Sequence, residues 1–200
     1  MEADLESRYS PSSKSEWSLK DEFFQIIMCK FGTCEIDLFA SRLNNKLDRY
    51  VSFRPDPGAE AINAFSYDWT INKLYIFPPF RLVGKILQKI AREKVEAVIV
   101  LTLPLARRFV NLLMGLLVAR PLLIPYRAIF LPYKEQELHP LGKKLQLLVC
   151  SVSNHHGKNS AFLRQQRKFL DRVGRKGHKN STRRILRDGH NSVNIEILTR

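Results

Sequence analysis

A three-layer, Rossmann-like α/β fold built on a mostly parallel sheet is what this sequence predicts, and three observations carry the prediction. The run Leu74-Tyr75-Ile76-Phe77 stops at Pro78-Pro79, and proline has no amide hydrogen for a sheet ladder, so a strand ends there. Leu82, Val83, Ile86, Leu87 and Ile90 then recur at helical spacing, with Lys85, Lys89 and Lys94 opposite them. Residues 97–103 follow as a continuous apolar, β-branched run, typical of a strand covered on both faces. Strand, helix and strand in that order imply parallel pairing through a right-handed crossover, with helices on the faces of the sheet.

The remaining elements follow along the chain. Residues 1–15 are polar, contain Pro11, and read as a linker or the end of an upstream region. Ser18 is placed to cap a helix whose apolar residues Leu19, Phe23, Phe24, Ile26, Ile27 and Phe31 share one face, and Gly32 ends it. Residues 34–39 predict a buried strand with one carboxylate, Asp37, near its carboxyl end. A charge there needs a reason: either it meets a donor-rich ligand or it caps the turn at Ala40 and Ser41. Asn44-Asn45 make a turn, residues 49–53 a half-exposed strand, and Pro55-Asp56-Pro57-Gly58 a loop. Residues 105–118 predict a buried helix, too short to span a bilayer, which takes about 20 apolar residues. A proline-punctuated extended run over 121–132 and a last strand over 145–152 complete a domain expected to cover residues 16–153.

Charge is unevenly placed. The net charge is +14, yet residues 151–200 hold 12 Lys and Arg against 3 Asp and Glu. Residues 154–200 therefore predict a basic, partly disordered tail with a helical stretch over 161–173, and counterion release makes nucleic acid, DNA or RNA, its natural partner. Arg164, Arg167, Lys168, Arg172, Arg175, Lys176, Lys179, Arg183, Arg184 and Arg187 are the candidate phosphate contacts. Arg107 and Arg108 are read either as the exposed start of a helix or as an extension of the basic surface toward the pocket. Cys29, Cys34 and Cys150 have no metal-ligand spacing and predict buried thiols. His155-His156 has no nearby Cys, Asp or Glu, so no metal is expected. The first residues lack the apolar core of a signal peptide, which points to the nucleus or cytoplasm and away from membranes.

Phe31-Gly32, Ile36-Asp37-Leu38-Phe39-Ala40-Ser41, Asn45, Tyr50, Trp69 and Pro78-Pro79-Phe80, followed by a strand running to Leu103-Pro104, resemble the phage-type Dam adenine methyltransferase family over residues 17–110. The chain is more similar still to the version of that domain in the pol polyprotein of DIRS-like retroelements, between ribonuclease H and a tyrosine recombinase. The Glu16-Trp17-Ser18-Leu19 start, Pro55-Asp56-Pro57, the Phe77-Pro78-Pro79-Phe80 turn, His139-Pro140-Leu141 and a basic stretch beyond carry that likeness, as do Glu2-Ala3-Asp4 and Ser7-Arg8. The resemblance implies S-adenosylmethionine beside Asp37, Ala40 and Ser41, and a pocket shaped by Pro78, Pro79 and Phe80, with Phe80 stacked on a flipped adenine.

The family's turn places Asn or Asp before the two prolines, to accept a hydrogen bond from the amine that is methylated. Phe77 stands there instead, and a phenyl ring offers no acceptor; losing such a contact at a reacting centre costs several kcal/mol. Ala40-Ser41-Arg42 replaces a glycine-rich cofactor loop, and Asn63 stands where related sequences often carry Asp. The expectation is a degenerate methyltransferase-like domain, with no cofactor, that binds nucleic acid beside the other domains of a polyprotein. The alternatives are an active S-adenosylmethionine-dependent DNA adenine methyltransferase and, more weakly, a decayed fragment. Tyr-x-Asp-Asp and recombinase motifs are missing from these residues, so polymerase and recombinase chemistry are not expected of them.

Overall fold

The computed structural model describes residues 17–131, 134–138, 145–173, 185–187 and 192–198. The expectations for residues 1–15, His139-Pro140-Leu141, Arg175, Lys176, Lys179, Arg183 and Arg184 lie outside them. In chain order the elements are β1 (Ser18–Leu19), α1 (Asp21–Phe31), β2 (Ile36–Asp37), β3 (Val51–Ser52), β4 (Ala61–Ile62), β5 (Lys73–Ile76), α2 (Val83–Arg92) and β6 (Glu96–Thr102). They continue with α3 (Leu103–Arg108), α4 (Val110–Met114), β7 (Leu122–Ile124), β8 (Ile129–Leu131), β9 (Lys134–Leu138), β10 (Leu147–Ser153), α5 (His156–Val173), β11 (Ile185–Arg187), β12 (Ser192–Asn194) and β13 (Glu196–Ile197).

The central sheet has six strands in the order β13-β7-β10-β6-β5-β2. Pairing is parallel for β2 with β5, β5 with β6 and β13 with β7, whereas β10 runs antiparallel to both its neighbours. A parallel bridge from Asp37 to Tyr50 joins β2 to the parallel pair β3 and β4. Counting through that bridge, the parallel strands stand in the order β4-β3-β2-β5-β6. The chain first builds outward from β2 on one side and then returns to build outward on the other, which is the doubly wound arrangement.

Side-chain alternation puts two cores on the two faces. Leu74, Ile76, Ala97, Ile99, Leu101, Leu148 and Cys150 meet Ile86, Leu87 and Ile90 of α2 together with Leu113 and Met114 of α4. Tyr75, Val98, Val100, Leu147 and Val149 meet Phe23, Phe24, Ile27 and Met28 of α1. These are the three layers that the apolar runs require. Full burial of each leucine or isoleucine in them is worth about 1.5–3 kcal/mol.

Several local expectations change. Ser18 is not a helix cap; it pairs with Phe130 in β1, and α1 starts after Lys20 without a side-chain cap. Gly32 does end α1, at φ 82. Cys29 is exposed on α1, while Cys34 and Cys150 are buried. The helix expected over 105–118 breaks at Phe109 (φ −106, ψ 25), whose ring lies on the backbone of Gly84, where a Cβ would come within 3.0 Å of it. The parallel neighbours β5 and β6 are joined by a helical crossover through α2, whereas the connections after β2 and β3 are turns.

The expected domain edge at residue 153 also moves. Helix α5 buries Phe162 in the α2-side core, and the Asn159 amide donates to the carbonyls of Met114 (3.0 Å) and Leu117 (2.6 Å), two acceptors at the end of α4. Leu186, Val193 and Ile195 join the same core, and β13 adds a strand to the sheet edge, where Lys30 of α1 meets Glu196 at 2.5 Å. The basic segment is thus anchored in the fold at both of its described ends.

Phe162→Ala should therefore lower the unfolding free energy by on the order of 3 kcal/mol, and Asn159→Ala by on the order of 1–3 kcal/mol through two unsatisfied carbonyls. Urea denaturation checks both, and an unchanged midpoint for Phe162→Ala would mean that α5 is not docked.

Candidate functional site

In a doubly wound sheet, ligands bind beyond the carboxyl ends of the strands where the strand order reverses. That point here lies between β2 and β5. It brings together Asp37 with the loop after it, and Phe77-Pro78-Pro79-Phe80 after β5, so the two stretches singled out from sequence are neighbours.

Asp37 and Tyr75 are ladder partners on β2 and β5. Ile36 and Leu38 belong to the α2-side core, so Asp37 turns to the α1 side, where Phe24 meets the Tyr75 ring edge-on at 5.1 Å. Asp37 Oδ2 accepts the backbone N–H of Lys46 at 3.1 Å. Asp37 Oδ1 and the Tyr75 hydroxyl are both buried with no hydrogen-bond partner among the described residues. Burial pushes the Asp37 carboxyl up to about 7, against the pull of the Lys46 and Phe39 amides and the Lys46 charge. Burial likewise pushes the Cys34 thiol up to about 12, and the same cause, followed by the nearby Asp37 charge, raises Tyr75 well above the usual tyrosine value. Of the two roles open to Asp37 from sequence, the cap of the turn at Ala40 and Ser41 does not form: those amides go to Val51 O and Asn44 Oδ1, one Asp37 oxygen holds Lys46 N at the far end of the loop, and the other oxygen is left unused.

The loop after β2 is closed on itself. The amides of Ala40 and Ser41 donate to Val51 O (3.2 Å) and Asn44 Oδ1 (2.8 Å), and that of Arg42 to Asp56 Oδ2 (2.9 Å). Leu43 N donates to Ser41 Oγ (3.3 Å), and the amides of Asn44 and Asn45 both reach Ser41 O. Lys46 N completes the series on Asp37. A cofactor-holding loop works by aiming unpaired amides at its ligand, and every amide from residue 40 to residue 46 already has an acceptor. Nucleotide-binding sheets also use an acid about 20 residues beyond the first strand to hold a ribose. Asp56 stands at that distance, but it is engaged by Arg42 N and by Gly58 N at 3.3 Å. The residues present do not fit S-adenosylmethionine.

The second stretch is equally committed. Phe77 and Phe80 are half-buried against the α1-side core, Pro78 is buried and Pro79 is exposed, and Pro79 starts the short turn that leads into α2. Phe77 therefore fills space where the resemblance implies a polar acceptor. Asn63, at φ 66, uses its side chain to accept the Phe65 amide at 3.2 Å, a capping role an Asp would serve equally.

Sequence reasoning missed an aromatic cluster on the other face. Phe65 stacks on Trp69 at 6.0 Å, and Phe39, just beyond β2, meets both edge-on at 5.9 and 6.3 Å. The Lys85 ammonium lies 4.0 Å above the Phe65 ring and that of Lys89 lies 5.2 Å from Trp69. The Phe65 and Trp69 spacing of four residues was visible, but the contribution of Phe39 depends on how β2 ends. Of the basic candidates, Arg164 is exposed on α5, Arg167, Lys168 and Arg172 lie on the same helix, and Arg187 lies in β11. Among the described residues, no group of three or more His, Cys, Asp or Glu could hold a metal, and no helix is long and apolar enough to cross a membrane.

Asp37 carries a stability signature. Its folded value lies above the unfolded one of 3.8, so its contribution is full below pH 3.8 and is lost as pH rises through about 7. Asp37→Asn should thus be more stable than the natural chain at pH 8, by on the order of 4 kcal/mol, with the gap closing toward pH 4; a gap independent of pH in thermal melts would contradict this. No family model matches the chain, and no curated protein does either, so its function has to come from the residues themselves.

Proposed function

We propose that this chain is a methyltransferase-like domain without methyl transfer, part of a retroelement polyprotein, and that it binds nucleic acid for neighbouring domains in the nucleus or cytoplasm. The observation that carries the reading is the closed loop over residues 40–46, whose amides leave nothing to hold a cofactor. The half-buried Phe77 adds that the reacting amine would find no acceptor. The surplus of cations in residues 151–200 supports the nucleic-acid part, because phosphate neutralisation releases counterions.

One observation favours the second reading, an active adenine methyltransferase. Asp37 and Tyr75 are ladder partners where the strand order reverses, and Asp37 Oδ1 and the Tyr75 hydroxyl are both buried without partners among the described residues. A ligand with donors and acceptors would satisfy them.

Calorimetric titration with S-adenosylmethionine separates the two. Neither the natural chain nor Phe77→Asp should give heat, since restoring an acceptor does not free the loop; micromolar binding by the natural chain would overturn the proposal. Nucleic-acid binding is checked separately by fluorescence anisotropy on a labelled 20-nucleotide strand. Replacing Arg175, Lys176, Lys179, Arg183 and Arg184 by Gln should flatten the slope of log K against log salt by about 3.5, and an unchanged slope would remove this segment from the interface.

A further inference from the structure

The outer face of α2 and the adjoining end of α3 carry a second cluster of cations. Between Thr70 and Lys134 the acids are Glu93 and Glu96, and both are neutralised: Glu93 by Lys89 at 2.5 Å, Glu96 by Lys158. Arg81, Lys85, Arg92, Arg107 and Arg108 are exposed, and among the described residues none meets a carboxylate. Lys85, Gln88 and Arg92 are spaced by three and four residues, which places them along one side of α2, and Arg81 stands in the short turn that leads into it.

Aromatic rings lie between these cations. Phe109 rests on Gly84 of α2, and the Arg108 guanidinium carbon is 5.7 Å from the Phe109 centroid. On the other side Lys85 covers Phe65, and Phe65 touches Phe39 at the carboxyl end of β2. The belt of cations and half-buried rings therefore runs from α3 across α2 to the point where the strand order reverses. Beyond it, at the carboxyl end of β3, stands Phe53, a ring 75% exposed beside the exposed Arg54.

From this arrangement we infer that the α2–α3 face is a nucleic-acid surface in its own right, distinct from the C-terminal segment, that tracks the phosphates of a single strand and leads it toward Phe53. This deepens the nucleic-acid reading above and rests on it. Cations that follow a backbone, with rings on which bases stack, are what single-strand binding requires. An anionic membrane fits less well. A membrane-lying helix turns its apolar side outward into lipid, whereas Val83, Ile86, Leu87 and Ile90 of α2 are buried in the core.

The test uses the full chain and a labelled 20-nucleotide single strand, followed by anisotropy over a salt series. Replacing Arg81, Lys85, Arg107 and Arg108 by Gln removes four exposed charges, with retention of fold checked by thermal melting. The expected result is a slope of log K against log salt flatter by about 3, and recovery of affinity when the three arginines are replaced by Lys with Lys85 kept. Phe53→Ala should weaken single-strand binding about tenfold and leave duplex binding unchanged. If the Gln variant binds as the natural chain does while the variant in residues 175–184 does not, the inference fails and the nucleic-acid reading stands. If neither variant changes binding, or if the natural chain binds no strand at all, both fail. Loss of binding to phosphatidylserine vesicles with no loss on the strand would assign the face to membranes and overturn the inference.

Discussion

Two residues of β2 hold the parallel sheet together. Ile36 and Asp37 ladder with Leu74 and Tyr75 on one side, and Asp37 bridges Tyr50 on the other. The backbone then divides its donors: Leu38 N reaches Tyr75 O, while Asp37 N and Ala40 N reach Arg49 O and Val51 O. So short a strand gains little from its own ladder. Its position is set instead by the complete burial of Ile36 and Leu38 on one face and by the polar contacts of Asp37 on the other. Everything proposed about the site depends on this strand, because it fixes where the strand order reverses and which side chains meet there.

A carboxylate buried in that position works against stability, and the Asp37 oxygen and the Tyr75 hydroxyl, each buried without a partner among the described residues, add to the cost. Such defects gather where a fold serves, or once served, a ligand. The surrounding loop points the other way, since its amides face inward onto Asn44, Ser41, Asp56 and Asp37. Polar groups suited to a ligand persist at the bottom of the site while its rim is closed.

The order of strands around Pro78-Pro79 was legible because proline, helical spacing and a long β-branched run each constrain the backbone locally. Asp37 was legible as an anomaly for a related reason: few charges sit in apolar runs. What sequence could not give was direction. Residues 145–152 read as a strand, but an apolar run looks the same in a parallel and an antiparallel strand, and β10 turned out to run against its neighbours. Nor could composition place α5, whose buried residues Asn159, Phe162 and Gln166 are interspersed with the exposed Lys158 and Arg164. The aromatic cluster was hidden for another reason, since Phe39, Phe65 and Trp69 are brought together by tertiary packing.

The anchoring of α5 and of the β11–β12 pair has a consequence for the edge of the central sheet. Phe162 of α5 and Leu186 and Val193 of the pair lie in the same core as α2, and β13 pairs with β7 at the end of the strand order. The edge that β7 would otherwise leave open is therefore covered by residues from far along the chain. Undocking β13 would bare a row of unpaired backbone donors and acceptors on β7, which is a template for pairing with another chain.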